Sequence, residues 1–431
     1  MSVTVPPATA SQVGASESPK RRRRVAHLLA GAVVLIGVGV HVARPLAPDL
    51  GPAPSPTGVF DPAFLQRAAQ YRQPLYVAMV VALALRLGIA AAAAFTPPGR
   101  AAVTWIVNRV GDQRPARAAA AVVLTVVAAT DLLLLPLVFW AGFVHDGTFG
   151  LRTQGLAGWS YDWLVLHAPV WLGVTVLTLA GYTLARRLPR DWPAVAGVAA
   201  GVLGILVTFA SPVILEPLSF RFSPLPEGPV RAEVERVLAA AGERIDTIVV
   251  ADASRRSTRQ NAYVSGLGAS RRVVLYDTLI TERPVDEVGI VLAHELAHRH
   301  NQDVARFNLL AAAGAVIAAY VVWLVVSRRT TRGRQRMPAD PRAAAVVLLI
   351  VLVLNVASIP VQSLVSRRAE AAADLRSLAY TDAPEVFRRM QDGLARANLA
   401  EPLPPRVVIL WNGSHPSVMA RIGMAGWWEQ R

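Results

Sequence analysis

Cysteine is absent from the 431-residue chain. Disulfide bonds and thiolate metal ligands are therefore excluded, although this absence does not choose a cellular compartment. Lysine is almost absent as well. Lys20 is the only lysine among the 44 lysine and arginine residues, and all the others are arginines. The net charge is +15. No nucleic-acid-binding motif accompanies this charge. We therefore expect the arginines to lie beside lipid headgroups, and we expect no nucleic-acid partner.

Charged residues are also scarce, at 17%, whereas hydrophobic residues reach 53% and the mean hydropathy is +0.40. Seven apolar runs are long enough to cross a bilayer. The first run follows four arginines and could be a signal peptide, but no convincing small-residue cleavage site follows it, so we favour a retained span. The runs lie at about 26–43, 75–96, 118–144, 164–185, 193–215, 304–327 and 343–366.

The pentapeptide His294-Glu295-Leu296-Ala297-His298 places two imidazoles one helical turn apart with a carboxylate between them. On an α-helix the two histidines lie about 40° apart and can share a tetrahedral metal, while Glu295 projects beside them. This spacing is typical of zinc proteases, in which the carboxylate takes a proton from the attacking water. A solvated pair of helical histidines is the alternative.

A third protein ligand is needed, and helical angle excludes the nearest candidates. Asp303 lies about 180° from His294 around the helix, and His300 lies about 120° away. Downstream, Glu370 and Asp374 are neighbours on one helical face, which in isolation would indicate a solvated helix. The two apolar runs between the motifs predict a transmembrane hairpin, and a hairpin returns the chain to the face it left. We therefore expect Glu370 to lie level with the two histidines.

The sequence predicts a mainly α-helical integral membrane protein with about seven transmembrane helices and a zincin-type catalytic segment that carries a small β-sheet. A helix is expected at 230–241, short strands at 247–250, 262–264 and 272–276, and the metal helix from about Pro284. Residues 375–398 are also expected to be helical, and His415-Pro416 is expected to open a final short helix that ends at Arg421. The domains are a disordered basic tail (1–25), a five-span region (26–218), a catalytic segment (219–303), the hairpin (304–366) and a C-terminal catalytic segment (367–431).

Several blocks of the chain, in order, resemble the type I CAAX prenyl proteases, which are multi-pass membrane zinc metallopeptidases. The resemblance covers about residues 60–428 and implies one zinc ion per chain, held by His294, His298 and Glu370, with Glu295 as general base. It also implies a proton-donor role for Asp374. The blocks are Ser257-Thr258-Arg259-Gln260-Asn261-Ala262-Tyr263, Val274-Leu275-Tyr276-Asp277-Thr278-Leu279, the HELAH pentapeptide, Ser366-Arg367-Arg368-Ala369-Glu370 with Asp374, and Ser414-His415-Pro416.

Other site residues are predicted from their chemistry. Asp374 could equally hydrogen-bond a ligand histidine and fix its tautomer. His415 and Arg421 could approach a developing oxyanion, or could be a helix cap and a surface arginine. We expect the substrate to bind as an added β-strand along Asn261, Ala262 and Tyr263, because main-chain hydrogen bonds align varied sequences.

Polar residues inside the spans, among them Arg86 and Asp131, have two interpretations. They could face the water-filled chamber that the resembled family encloses, or they could pair across packed helices. A transporter is disfavoured because the chain has no internal repeat and no Gly/Pro-broken helix pair at matched positions. A catalytically inactive scaffold is disfavoured because every expected zinc ligand is present.

The substrate and the orientation are the least constrained predictions. The low lysine content and abundant alanine are typical of high-GC bacteria, where prenylated proteins would be unexpected. We therefore predict an endopeptidase for membrane-associated or misfolded proteins, with prenylated CAAX peptides as the alternative substrate. The short loops after the even-numbered spans are rich in arginine, which predicts that they are cytoplasmic and that the active site of this cell-membrane protein faces outward.

Overall fold

The structure is a computed structural model that describes residues 19–42, 53–111, 113–244, 247–329 and 340–431. Most of the predicted disordered tail and the basic loop at 330–339 lie outside the described residues. Within them, seven helices are long and apolar enough to span a membrane, as predicted. The helices that carry spans 1 to 7 are Pro19–Val42, Pro62–Phe95, Pro115–Phe139, Leu156–Arg187, Trp192–Ile214, Asp303–Arg329 and Ala344–Thr381.

Spans 2 and 7 are longer than their apolar runs. Span 2 begins at Pro62, where the Asp61 carboxylate caps the helix by accepting from the Phe64 N–H at 2.8 Å. Span 7 continues to Thr381, past the apolar run that ends near residue 366. A hydropathy pattern identifies only the helical turns that cross the lipid. The polar turns that extend these two helices lie in the catalytic region. The extensions therefore bring span residues directly to the candidate site.

Spans 1, 5 and 6 pack through small residues. A Cβ added at Gly197 of span 5 would lie 2.6 Å from the Val316 Cα of span 6, so the two backbones approach too closely for any larger side chain. His27 of span 1 lies beside them, with its Nδ1 2.5 Å from the Tyr320 hydroxyl and its Nε2 3.3 Å from the Asp191 carboxylate. These polar contacts fix the first span against the sixth.

Arg86 and Asp131 approach each other between spans 2 and 3, at 3.6 Å from Nη2 to Oδ1. Asp131 is buried and also accepts a hydrogen bond of 2.9 Å from the Trp171 indole of span 4. The Arg86 side chain remains half-exposed. Arg86 and Asp131 therefore pair across packed helices, which is one of the two interpretations given above. The exposed part of the Arg86 side chain faces the space beside this pair.

Span 7 is exposed on two opposite faces. Val353 and Val361 are 48% and 58% exposed on an apolar face, whereas Asn355 and Gln362 are exposed on the other. An exposed valine is suited to lipid, but an exposed amide at membrane depth requires water or a polar partner. The Gln362 amide donates to the Ser358 hydroxyl of the same helix at 2.6 Å, so Asn355 is the amide that requires water. This pattern favours a hydrated space on the inner side of span 7.

A four-stranded sheet in the order β1-β2-β4-β3 lies outside the spans. Strands β1 and β2 are antiparallel, β2 and β4 are parallel, and β3 pairs antiparallel with β4, so β3 forms one edge. Three strands match the prediction, but β1 was not predicted because three residues ending in proline give no alternating pattern. The strands are Phe222–Pro224, Ile248–Ala251, Ala262–Ser265 and Arg272–Tyr276.

The metal helix, Val285–His300, is the centre of the catalytic core. It is buried on all sides from Glu287 to Ala297 apart from Glu295, because the sheet, helix Pro229–Ala241 and span 7 pack around it. A helix that is enclosed in this way packs at the density of a protein interior, so its side chains have little freedom to move. It therefore holds its few polar side chains in fixed positions.

Four further helices of seven or more residues lie within the described ranges. Helices Pro97–Val110 and Arg406–Asn412 were not predicted, since their short sequences gave no clear helical period. Helix Pro384–Ala397 lies within the segment expected to be helical. The last helix runs from Val418 to Glu429, beyond the predicted end at Arg421, and is capped by the Ser417 hydroxyl at 3.2 Å from the Ala420 nitrogen.

Candidate metal centre

Three side chains converge where span 7 passes the metal helix. The Nε2 atoms of His294 and His298 lie 3.0 Å apart. The Glu370 carboxylate faces both of them, with oxygens 3.2 Å and 3.5 Å from these two nitrogens. One ligand atom from each of the three residues lies within 4.8 Å of the others. The predicted His/His/Glu set is thus brought together as the hairpin geometry requires.

The Nδ1 atoms of His294 and His298, on the other side of each ring, each face a carboxylate. His294 Nδ1 lies 2.9 Å from Asp374 Oδ1, and His298 Nδ1 lies 2.8 Å from Asp303 Oδ2. Each carboxylate favours the proton on Nδ1, which leaves both Nε2 lone pairs directed at each other and at Glu370. Three electron-pair donors at such short separation repel unless a cation lies between them. The donor set therefore fits a divalent metal, and two nitrogens with one oxygen are typical ligands of catalytic zinc.

The electrostatics of the site are strongly negative. Burial opposes protonation of His298, but the hydrogen bonds to Asp303 and Glu370 outweigh it and raise the pKa of this imidazole to about 10. The pKa of His294 is likewise raised against burial by Asp374 and Glu370. A site that attracts protons this strongly attracts a metal cation for the same reason.

Glu295 lies between the metal ligands and the sheet edge. Its Oε2 accepts a hydrogen bond of 3.1 Å from the Val264 N–H of β3. Burial raises the pKa of Glu295, and the two neighbouring histidines oppose this shift. A buried carboxylate with few stabilising partners is a stronger base than an exposed one.

Asp374 is fully buried, and its partners surround it. Besides His294, it accepts hydrogen bonds from Arg421 Nε at 2.8 Å and Nη2 at 2.6 Å. Arg421 is itself 14% exposed and is a buried ion-pair partner rather than a surface arginine. The buried Gln391 amide completes the group, since its oxygen lies 3.1 Å from Arg421 Nη2 when oriented to accept.

His415 stands at the mouth of the site. Its side chain is 54% exposed, and its Nε2 lies 3.2 Å from Glu370 Oε2. His415 and Arg421 both line an open cavity of about 670 Å³ that extends away from the metal ligands toward Asn261 and span 2. The helix cap that the sequence left open for His415 is provided by Ser417 instead.

Strand β3 offers a free main-chain edge beside the site. The Asn261 carbonyl accepts from the Tyr276 N–H of β4 at 3.0 Å, so Asn261 faces the sheet. Since successive residues of a strand alternate, the main-chain groups of Ala262 and Val264 face outward. The contact between Val264 and Glu295 confirms this orientation. Of the three predicted substrate residues, Ala262 is buried and directs its main-chain groups away from β4, whereas Asn261 contributes to the cavity wall and Tyr263 faces β4.

Three residues near the site were not identified from the sequence. Asp303 was considered only as a metal ligand, although a carboxylate soon after the second histidine is a reasonable partner for its Nδ1. Gln391 and Asn398 come from helix Pro384–Ala397 and its end. Nothing in their local sequence signals the contact of Gln391 with Arg421 or that of Asn398 with Gln260, which is 138 positions away.

The chain is similar to known metalloproteases. The model of peptidase family M48 matches residues 224–427. The metalloprotease YhfN of Bacillus subtilis is 28% identical over 68% of this chain and 70% of that protein. CAAX prenyl protease 1 of Saccharomyces cerevisiae is 33% identical, but the match covers only 39% of this chain and 38% of the yeast protein. The crystal structure of Ste24p from S. mikatae shares the fold, with a TM-score of 0.69 at 20% identity over 94% of this chain and 98% of that chain.

Proposed function

This chain is a multi-pass membrane metalloprotease of the type I CAAX prenyl protease family, and from that premise we propose that it is an endopeptidase with one zinc ion per chain, held by His294, His298 and Glu370. The observation that carries the proposal is the convergence of two imidazole nitrogens 3.0 Å apart on one carboxylate. Two imidazole nitrogens and one carboxylate that converge in this way are the typical protein ligands of a catalytic zinc ion. A bound zinc supplies Lewis acidity, which polarises a peptide carbonyl and increases the acidity of water.

Glu295 is the general base in this proposal. Its carboxylate is buried beside the ligands, and burial raises its pKa, so it accepts the proton of the attacking water readily. In the substrate-free chain this carboxylate accepts from Val264. A substrate main chain that pairs with Val264 takes over that N–H and releases Glu295 for catalysis.

We assign Asp374 to positioning rather than to proton donation. Its carboxylate has no exposed surface and is enclosed by His294 and Arg421, so it does not contact a substrate. It fixes the His294 tautomer and neutralises a buried guanidinium. His415, which is exposed at the mouth, is better placed than Arg421 to stabilise a developing oxyanion.

The substrate class follows from the main-chain edge of β3. An edge that offers backbone groups aligns extended segments of many sequences, which is suited to membrane-associated or misfolded proteins. Prenylated CAAX peptides remain the alternative because the yeast relative bears that name. Trapping with Glu295→Gln followed by mass spectrometry of the bound proteins distinguishes the two, since prenylated C-terminal peptides carry a diagnostic mass.

The active-site face is proposed to be extracytoplasmic in the cell membrane, on the basis of the arginine-rich short loops after spans 2, 4 and 6. Helix Val418–Glu429 ends on the active-site side, so the C-terminus reports this face. An alkaline phosphatase fusion there should be active and a green fluorescent protein fusion dark. The opposite pattern places catalysis in the cytoplasm.

Purified protein tests the catalytic proposal. Wild type should bind one zinc per chain and cleave casein, Glu295→Gln should keep zinc and lose turnover, and Glu370→Ala should lose stoichiometric zinc. Full zinc occupancy in Glu370→Ala would remove Glu370 from the ligand set. Casein cleavage by Glu295→Gln at the wild-type rate would reject the assigned base.

A further inference from the structure

The residue that follows helix Pro384–Ala397 reaches the open edge of β3. Asn398 Oδ1 accepts from the Gln260 N–H at 3.0 Å, and Asn398 Nδ2 donates to the Gln260 carbonyl at 3.0 Å. A residue of a neighbouring strand would make the same two bonds. The side chain of Asn398 therefore imitates a paired peptide unit at this position of the edge.

Gln260 belongs to the same edge as the proposed substrate positions. The Asn261 carbonyl accepts from Tyr276 of β4, and the Arg259 carbonyl accepts at 2.7 Å from the Thr278 hydroxyl in helix Asp277–Glu282, which follows β4, so residues 259 and 261 face the same side. Gln260 lies between them and faces outward, as Ala262 and Val264 do. The Asn398 amide thus occupies the edge position immediately before Ala262.

Asn398 is held firmly in this position. Arg72 of span 2 donates to the Leu399 carbonyl at 2.9 Å and to the Asn398 carbonyl at 3.1 Å. Leu399 is buried in a left-handed conformation with φ of 45°, and the Ala400 N–H closes the helix end on the Ala395 carbonyl at 2.9 Å. A side chain on a turn fixed from both sides does not yield readily to an incoming chain.

Gln260 is equally fixed. Its side chain is 3% exposed, and its Nε2 donates to Glu282 at 2.7 Å. The contact between Gln260 and Asn398 therefore joins two anchored segments that are 138 positions apart in sequence. Main-chain groups along the edge of β3 are therefore available for pairing only up to this contact.

We propose that Asn398 is a specificity-determining residue that ends main-chain pairing of the substrate at Gln260. This inference rests on the proposed binding of substrate to β3. A substrate pairs with Ala262 and Val264, and beyond Ala262 its chain leaves the edge. The cavity of about 670 Å³, which Gln260, Asn261 and Asn398 all line, receives the chain there. The enzyme therefore selects segments that are extended over a short stretch and turn away, such as loops and unfolded chain, over long β-strands.

A peptide-length series tests this limit. Fluorogenic peptides are lengthened one residue at a time on each side of the scissile bond, and kcat/KM and the cut site are measured for wild type and Asn398→Ala. For wild type, kcat/KM should rise as the peptide is lengthened toward Gln260. It should stop rising once the added residues extend beyond Ala262. For Asn398→Ala it should rise about 2- to 10-fold further, which is the effect of one or two main-chain hydrogen bonds. Asn108→Ala, an exposed change on helix Pro97–Val110, should keep the wild-type profile.

The outcomes separate this inference from the proposed function. If wild type cuts no peptide, or if Ala262→Pro cuts as well as wild type, the proposed binding to β3 fails. If those two behave as proposed but Asn398→Ala has the wild-type length profile with zinc retained, only the role of Asn398 is overturned. Asn398→Leu fills the same space without polar groups and provides the measurement if the alanine variant loses stability.

Discussion

The Asp374 carboxylate serves two partners within one buried site. It lies 2.9 Å from His294 Nδ1 and binds Arg421 through both oxygens. A single charge therefore orients a metal ligand and compensates a buried guanidinium. Removing one partner of a buried pair costs about 3–5 kcal/mol, because the other charge remains unpaired.

Asp374→Asn should lower zinc affinity about 10- to 100-fold and also lower the thermal stability of the detergent-solubilised protein. Adding Arg421→Gln should restore stability but not zinc affinity, because the arginine no longer needs a counter-charge. Competitive chelator titration and thermal unfolding measure the two effects. If Asp374→Asn binds zinc like wild type but loses turnover, proton donation is its role after all.

The ligand residues could be predicted because their positions follow from helical angle and from the hairpin. His294 and His298 are one turn apart on any α-helix, and spans 6 and 7 must return Glu370 to their level. Asn398 could not be predicted in this way. Its contact with Gln260 depends on a left-handed turn at Leu399 and on Arg72 of a distant span, and neither leaves a local pattern.

At the scale of elements, β3 combines a structural edge and a binding edge. The Asn261 carbonyl accepts from Tyr276 of β4, while the main-chain groups of Ala262 point away from β4 toward the proposed substrate edge. Proline at each position of such a strand therefore has a different effect, since the lost N–H belongs either to the sheet or to the substrate.

Ala262→Pro should raise KM at least tenfold or abolish peptide cleavage while zinc remains bound, because the deleted donor serves the substrate. Tyr263→Pro is the matched control. Its N–H faces β4, so that variant should lose stability and zinc together. Steady-state kinetics and metal analysis distinguish them, and unchanged kinetics in Ala262→Pro would place the substrate elsewhere.

The elbow between the metal helix and span 6 depends on Gln302, which is exposed and left-handed with φ of 55°. This turn places Asp303 at the start of span 6, where it reaches His298. The left-handed conformation costs a non-glycine residue about 1–2 kcal/mol, and most of all a β-branched one.

Gln302→Gly should therefore stabilise the protein slightly, by about 0.5 kcal/mol once the extra freedom of unfolded glycine is subtracted. Gln302→Val should destabilise it by about 1–2 kcal/mol and weaken zinc binding, because Asp303 is displaced from His298. Thermal unfolding and chelator titration test both. Equal zinc affinity in the two variants would show that the elbow does not position Asp303.

At the scale of the whole molecule, the spans form more than an anchor. Span 2 supplies Arg72 to the end of the proposed substrate edge, and span 7 supplies Glu370 to the proposed metal site. The two faces of span 7 differ in polarity, as expected for a wall between lipid and a hydrated interior. The helices that cross the membrane therefore also help to form the active site.

Because the chain contains no cysteine, single cysteines can be introduced to test which face of span 7 is in contact with water. Asn355→Cys and Gln362→Cys should react with a water-soluble maleimide in intact membranes, because only a hydrated thiol forms thiolate. Val353→Cys and Val361→Cys are the controls on the opposite face and should stay unlabelled. Equal labelling of all four would contradict a hydrated inner face.

The contact of span 1 with span 6 has a consequence for biosynthesis. His27 and its partner Tyr320 are 293 residues apart. At about 5–20 residues per second, the ribosome needs roughly 15–60 s to deliver the sixth span after the first. Throughout that interval His27, in the first turn of the span, lacks its Tyr320 partner. The first span therefore reaches its final packing only after most of the chain has been synthesised.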